Sequence, residues 1–356
     1  MHMAIFRLGE LFCGPGGIGL AATTTSTHLS SIKHAWATDY DPDTCATYAT
    51  NICPSHSAES VICADIRELD LSILPPVDAL AFGFPCNDFS TIGKQQGLDG
   101  KYGPLYTYCA EALKYFQPRW FLPENVSGLG NANEGKAFDM ILNSFREAGY
   151  KIVAYLYKFE EYGVPQARHR IIIVGIREDQ DVEFKVPSTD PYTSVDVSSR
   201  TCLERPYPQG VTQHVFTKQT ARVTERLSHI KPGENVFTAN MPEHLRSKTR
   251  TTISQLYKRV HPDKPAYTVI GSGGGGMRMY HYSENRALTN RERARLQTFP
   301  DDYIFCGGSE SVRKQIGMAV PPAGATPIFE AILNSFDGVR YQSVDASYCD
   351  DNRCNE

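Results

Sequence analysis

The run FRLGELF, strand-like in its residue types, passes without a spacer into Cys13-Gly14-Pro15-Gly16-Gly17-Ile18-Gly19, and an apolar segment able to begin a helix follows. Gly14, Gly16 and Gly19 satisfy the spacing GxGxxG. Strand, glycine turn and helix in that order open a nucleotide- or nucleoside-binding α/β sheet, because glycine turns tightly and lets a ligand approach the backbone. Asp39 closes the next strand-like run, HAWATDY, about twenty residues on, where a carboxylate can accept hydrogen bonds from two ribose hydroxyls. Tyr40 beside it can stack on a purine. Asp65, closing VICADI, is placed either to accept from an adenine amino group or to cap a helix before Arg67. The pattern alone does not separate a dinucleotide from S-adenosylmethionine.

The alternation continues. VDALAFGF and RWFLPENV read as further strands, DPDTCATYATN and LYTYCAEALKYF as helices between strands, KAFDMILNSFREAGY as an amphipathic helix, and KIVAYLYKF and RHRIIIVGIR as two more strands. This predicts an α/β fold with a mostly parallel, helix-covered sheet. At about residue 180 the chain turns rich in Pro, Thr and Arg and loses helical periodicity up to about residue 300, with GSGGGG at 271 to 276, which fits a smaller irregular domain. The later KQIGMAVPPAGATPIFEAILNSF is apolar and helical again, as a return to the first domain would be, and the last residues are polar. No internal repeat is present.

With 356 residues, 41% hydrophobic and 21% charged, two globular domains are expected rather than disorder or a fibre. The ten cysteines fall singly, with no CxxC pair and no His/Cys spacing that suits zinc, so a reducing compartment and no metal are expected. No apolar run reaches the roughly 18 residues of a membrane span, and MHMAIFRLGE lacks the marks of an export signal. A soluble cytoplasmic protein is the expectation. The net charge of −4 advertises no polyanion partner, yet between residues 200 and 260 eleven Lys and Arg, including Arg246, Lys248 and Arg250, face four Glu. That local excess of +7 is either a solvated surface or a phosphate-binding face.

Two strand ends carry chemistry. VDALAFGF leads into Pro85-Cys86-Asn87-Asp88-Phe89-Ser90, which puts a cysteine among polar, accessible residues at the edge where such sheets present their ligands. RWFLPENV brings Glu124 to the same edge behind Phe121, Leu122 and Pro123, where apolar surroundings favour a protonated carboxyl able to donate a hydrogen bond. Taken singly, one reads as a buried structural thiol and the other as a loop-starting acid. On successive strand ends they read as nucleophile and acid.

These residues resemble the cytosine-C5-specific DNA methyltransferases, of the bacterial modification-enzyme type. LFCGPGGIGLA resembles the family's methyl-donor loop, GFPCNDFS its nucleophile loop and PENV its glutamate motif. GVPQARHRIIIVGIR, with Gln166, Arg168 and Arg170, ALTNRERARLQTFPDDY, with Arg291, Glu292, Arg295 and Gln297, and GMAVPPAGA resemble its later motifs, in the family's order. Asn87 stands where the family most often has Gln, and Met318 where it usually has Asn.

The resemblance implies a Rossmann-like S-adenosylmethionine-dependent methyltransferase fold. Residues 1–180 would form the catalytic, donor-binding domain, 181–311 the target-recognition domain, 312–340 a segment returning to the first, and 341–356 a polar tail. It implies methylation of cytosine carbon 5 in a specific double-stranded DNA sequence, with base flipping, a covalent adduct between Cys86 and C6, and S-adenosylhomocysteine as product. Glu124 would bond N3, and Arg168, with Arg170, the cytosine O2 or Glu124. The donor would meet Phe12, Gly14, Gly16, Gly17, Asp39, Tyr40, Asp65, Ile66, Pro85, Leu105 and Val320, while Gly19 serves helix packing. Asn87, Ser90, Gln166 and the basic segment would touch DNA, with the loop from Asn87 to Gly103 closing over it. A monomer paired with a restriction endonuclease fits this type. An RNA cytosine methyltransferase of the same fold and a binding-only regulator are the alternatives; a dehydrogenase would share only the glycine loop and Asp39.

Overall fold

The computed structural model describes residues 3–53, 58–84, 105–247, 253–271 and 275–345, with backbone only for 131–134. In chain order the elements are β1 (Ala4–Leu11), α1 (Gly17–Thr24), β2 (Ser30–Asp39), α2 (Pro42–Ile52), β3 (Val61–Cys63), β4 (Ala79–Phe82), α3 (Leu105–Phe116), β5 (Trp120–Val126), α4 (Lys136–Glu147) and β6 (Tyr150–Lys158). There follow β7 (Gln166–Ala167), β8 (His169–Arg177), β9 (Val186–Pro187), α5 (Ser199–Glu204), α6 (Ala221–Ser228), β10 (Ala266–Tyr267), α7 (Asn290–Leu296), α8 (Ser309–Met318), α9 (Pro322–Phe336) and β11 (Ser343–Val344).

Seven strands make one sheet in the order β3-β2-β1-β4-β5-β8-β6. The strands β1 to β5 run parallel, and β8 is antiparallel to both of its neighbours, β5 and β6. The reversal follows from chain length: only residues 159–168 separate β6 from β8, too few for a crossover to a parallel neighbour. Both faces of the sheet are apolar, with a period of two. Along β8, Ile172, Val174 and Ile176 face one layer while Ile171 and Ile173 face the other, and β4 divides Ala79 and Ala81 from Leu80 and Phe82 in the same way. Ile18 and Ala22 of α1 cover the first face together with Ile328, Phe329 and Ile332 of α9. Leu113 of α3 and Ile141 and Phe145 of α4 cover the second.

Residues beyond about 200 build a separate apolar body from short helices and turns, with Leu203, Val260, Val269, Leu288, Leu296, Phe299, Val312 and Ile316 at its centre. A smaller cluster gathers Leu227, Ile230, Val236, Leu245 and Tyr280. The stretch Ser309–Phe336 is long and apolar enough to cross a membrane, but it is broken at Ala319–Pro321 and mostly buried in these cores. It forms the interior of the fold: α8 packs in the second body and α9 under the sheet.

Candidate functional site

Strand order changes direction between β1 and β4, and in such a sheet the crevice opens outside the carboxyl ends of the strands at that point. Along this edge stand Asp65 and Ile66 after β3, Asp39 and Tyr40 at the end of β2, Phe12 to Gly17 after β1, Gly83 after β4 and Glu124 near the end of β5. Pro85, Cys86, Asn87, Ser90, the loop from Asn87 to Gly103, Lys248 and Arg250 lie outside the described residues.

The glycine loop is held in a conformation few other residues tolerate. Gly14 and Gly16 have φ of 55° and 92°, and Phe12 between β1 and the loop is itself left-handed at 52°. The Cys13 N–H donates to the Thr38 carbonyl (2.9 Å), and the Gly14 N–H donates to Asp39 Oδ2 (3.0 Å), so β2 sets the loop's height. The other Asp39 oxygen accepts from the Asp41 N–H (3.0 Å), and burial raises the pKa of this carboxyl against those backbone bonds. Each oxygen retains a lone pair for a ribose hydroxyl. A Cβ on Gly17 would strike the Val320 carbonyl, which is how the last motif comes to lie on the loop. Phe12, Ile66 and Leu105 belong to one apolar layer, while the Tyr40 ring is 59% exposed. Asp65 is already engaged: its Oδ1 accepts from the backbone N–H and Nε of Arg67 (3.0 and 2.8 Å).

Two residues at this end of the site carry no local sequence signal. Lys314, from α8, reaches Tyr40 with Nζ 3.2 Å from the phenol oxygen, and only the fold reveals it. Glu10 of β1, behind the loop, accepts from Tyr48 Oη (3.2 Å), and burial pushes its carboxyl up to about 8. Gly19 serves this packing, since a Cβ there would sit 2.6 Å from Tyr48 Oη and 2.9 Å from Glu10 Oε2.

At the opposite end, Glu124 Oε1 accepts from Arg170 Nε at 2.7 Å, and the two side chains are only 12% and 13% exposed. Sheet register explains the pairing. Arg170 lies opposite Val126 and Ile172 opposite Glu124, so the arginine is the diagonal neighbour of the acid on one face. The carboxyl at this apolar strand end thus faces a guanidinium in addition to the apolar residues that precede it in the sequence. Gly83 lies beside Glu124 Oε2, and Asn125 Nδ2 donates to the Phe84 carbonyl (3.2 Å), which fastens the chain just ahead of Cys86 to the glutamate strand.

Gln166 and Arg168 are corrected in role. Gln166 is fully buried; its amide donates to the Leu296 carbonyl (3.1 Å) and Gln297 Oε1 (2.8 Å), and its oxygen accepts from the Val269 N–H (2.7 Å). No surface is left for DNA. Arg168, 1% exposed, donates to the carbonyls of Val269 and Gly317 (both 3.1 Å) and Met318 (3.4 Å), so Arg170 and not Arg168 meets Glu124. Arg168 and Arg170, two residues apart, would share one face of a continuous strand, but β7 ends before Arg168, and its guanidinium clamps residue 269 to the end of α8. Met318 enters this clamp by its carbonyl, leaving its side chain 49% exposed. Gln166→Leu is expected to cost about 2–3 kcal/mol, because it orphans buried groups in a shared network. Urea unfolding measures the loss, and the salt dependence of DNA binding should match that of the parent. A shallower salt slope would restore Gln166 to the DNA interface.

The basic segment is not one phosphate-gripping face. Arg226 is buried with Nε on the Leu245 carbonyl (2.9 Å), Arg259 is buried and bonded to the Leu227 carbonyl (2.8 Å), and Arg200 pairs with Asp263 (2.9 Å). Arg246 is exposed, with Nε 3.3 Å from the Met241 carbonyl, and remains available to a ligand.

A family model described as C-5 cytosine-specific DNA methylase matches residues 6–334. The Type II methyltransferase M.BbvI of Brevibacillus brevis is 51% identical, with 96% of this chain and 95% of that protein covered. M.NgoFVII of Neisseria gonorrhoeae, also a Type II methyltransferase, is 36% identical over 95% and 89%. A crystal structure of a prophage-encoded E. coli methyltransferase assigned to DNA modification superposes with a TM-score of 0.71 at 21% identity, over 93% of this chain and 99% of that one, and bears on the fold alone.

Proposed function

This chain belongs to the C-5 cytosine-specific DNA methylase family, and from that premise we propose that it methylates a cytosine flipped out of a specific duplex sequence, through a covalent adduct of Cys86. It is a DNA (cytosine-5-)-methyltransferase with a Rossmann-like methyltransferase fold. The donor end fits S-adenosylmethionine. Gly14 has open space where a Cβ would stand and Asp39 keeps lone pairs for the ribose; Tyr40 and Ile66 are assigned to the adenine, and Phe12, Gly16, Gly17, Leu105 and Val320 to the rest of the donor. S-adenosylmethionine supplies, when bound, a sulfonium methyl group for carbon 5 to accept, and becomes S-adenosylhomocysteine.

Carbon 5 of cytosine is too weak a nucleophile to be methylated unaided. Addition of the Cys86 thiolate to C6 makes C5 enamine-like, and Glu124, carrying a proton on Oε2 in the complex with the base, donates it in a hydrogen bond to N3 and stabilises the charge that develops there. With Oε1 held by Arg170, Oε2 is the oxygen left for N3. After methyl transfer, loss of the C5 proton expels the thiolate and restores the ring. Because the reacting carbon is stacked inside a duplex, the nucleotide must leave the helix, at a cost of a few kcal/mol that protein contacts offset. Asn87, Ser90, Arg246, Lys248 and Arg250 are assigned to DNA, and residues 181–311 to reading the sequence. A monomer paired with a restriction endonuclease completes the reading.

The observation that carries this reading is the buried Glu124–Arg170 pair beside the Gly83–Phe84 lead-in to Cys86, on the same sheet edge as the glycine loop. Bisulfite sequencing of DNA from cells expressing the chain tests it. Protected cytosines confined to one sequence context are expected, and a pattern identical to that of cells lacking the chain would refute it.

A further inference from the structure

Helix α7 carries three arginines, and they are not alike. Arg291 donates to the carbonyls of Thr212, Pro300 and Tyr303, and Arg295 to both oxygens of Asp301 and the Pro206 carbonyl. Arg293 between them is 4% exposed, and among the described residues its guanidinium has no hydrogen-bonding or ionic partner; its buried Nε has no acceptor. Two further arginines face it, Arg313 from α8 and Arg278 after the glycine run, and their buried Nε atoms lack acceptors as well. Burial first, and then these two like charges, pull the Arg293 pKa down to about 10. The nearest acids are committed elsewhere or lie outside. Glu292 takes both terminal nitrogens of Arg286 at 2.7 Å, and Glu310, 3.5 Å from Arg313, is 83% exposed.

Three guanidiniums gathered with one exposed carboxylate at their margin, on Arg313, are unfavourable in the free protein, since the buried Arg293 needs a counter-charge and hydrogen bonds to be tolerated. A planar guanidinium fork suits the paired oxygens of a phosphate. The location suits it too. Gly271 packs on the Lys314 backbone next to Arg313, and Gly317, one turn further along α8, has its carbonyl on Arg168, two residues before the partner of Glu124.

We propose that Arg278, Arg293 and Arg313 form a phosphodiester site that takes a backbone phosphate of the target duplex near the extruded nucleotide. The assignment to DNA rests on the function set out above; the site itself rests on the buried, uncompensated Arg293 and the unmatched Nε atoms of the two arginines beside it.

The test uses the full chain and three variants, Arg293→Met, Arg278→Gln and Arg313→Gln, with wild-type methylation of the duplex measured in parallel. Each variant should weaken cognate and non-cognate duplexes alike, by about tenfold at 0.1 M salt, and lower the slope of log K against log salt by about 0.9. Arg293→Met should also raise the Tm of the free protein, because it removes an uncompensated buried charge. A lower Tm with unchanged DNA binding would make Arg293 purely structural and overturn the proposal. Parental affinity and slope in all three variants would overturn it as well. If inorganic phosphate protects wild type but not Arg293→Met from heat while the DNA slopes stay unchanged, the site takes free phosphate and the assignment to DNA falls. A wild-type chain that neither binds nor methylates the duplex would instead refute the function, and the site's assignment to DNA with it.

Discussion

Duplex DNA incubated with the Cys86→Ala variant and labelled S-adenosylmethionine is expected to remain unmethylated, with turnover lower by at least about four orders of magnitude. The reason is electronic. Without a sulfur on C6 the pyrimidine keeps its aromatic character, and C5 has no electron pair to offer the sulfonium. Donor affinity should barely move, because the residues assigned to the donor lie mainly at the ends of β1, β2 and β3 and in the segments that follow them, and the thiol is not among them. Calorimetric titration with the donor checks that half of the result. A duplex with 5-fluorocytosine at the target should form a denaturant-resistant adduct with the parent and none with the variant, since fluorine blocks the proton loss that frees the thiol. Appreciable methylation by Cys86→Ala would remove the thiol from the mechanism.

Glu124→Gln should lower single-turnover methylation by about 10²- to 10³-fold, within the range of general acid catalysis, because an amide can hydrogen-bond N3 but has no proton to give it. It should also destabilise the fold by about 3 kcal/mol, because Arg170 is left as an unpaired buried cation. These two losses have different origins, and a double variant separates them. Adding Arg170→Met to Glu124→Gln should recover much of the stability, read by urea unfolding, and none of the turnover. If turnover returned with stability, Glu124 would be a structural partner of Arg170 and nothing more.

The site's skeleton was legible because strands and glycine turns write their positions locally. Period-two apolar runs ending in Asp39, Gly83 or Glu124 need no knowledge of the remaining chain, and the helices at Leu105–Phe116 and Lys136–Glu147 lie within their periodic stretches. The run VICADI narrowed to Val61–Cys63 because β3 is an edge strand with a single neighbour. Gln166 and Arg168 were misread for a different reason. Their partners, Val269, Leu296, Gln297 and Gly317, lie more than a hundred residues downstream, and no spacing rule announces which distant segment will fold back upon a strand end. Counting charges failed likewise in the basic segment, since the sum treats Arg226 and Arg259, which close on backbone carbonyls, as if they were free. Lys314 over Tyr40 and the uncompensated Arg293 belong to the same class: residues whose meaning depends on a neighbour supplied by tertiary structure.

The knot of Gln166, Arg168 and Gln297 has a thermodynamic corollary. Four of its bonds join Gln166 and Arg168 to residues 269–317, the Gln297 amide adds one to the Ala319 carbonyl, and none can be exchanged for water without opening the interior. Heat therefore has no seam along which to separate the two halves. They should melt in a single calorimetric transition, the recognition half borrowing its order from the sheet, despite having hydrophobic clusters of its own.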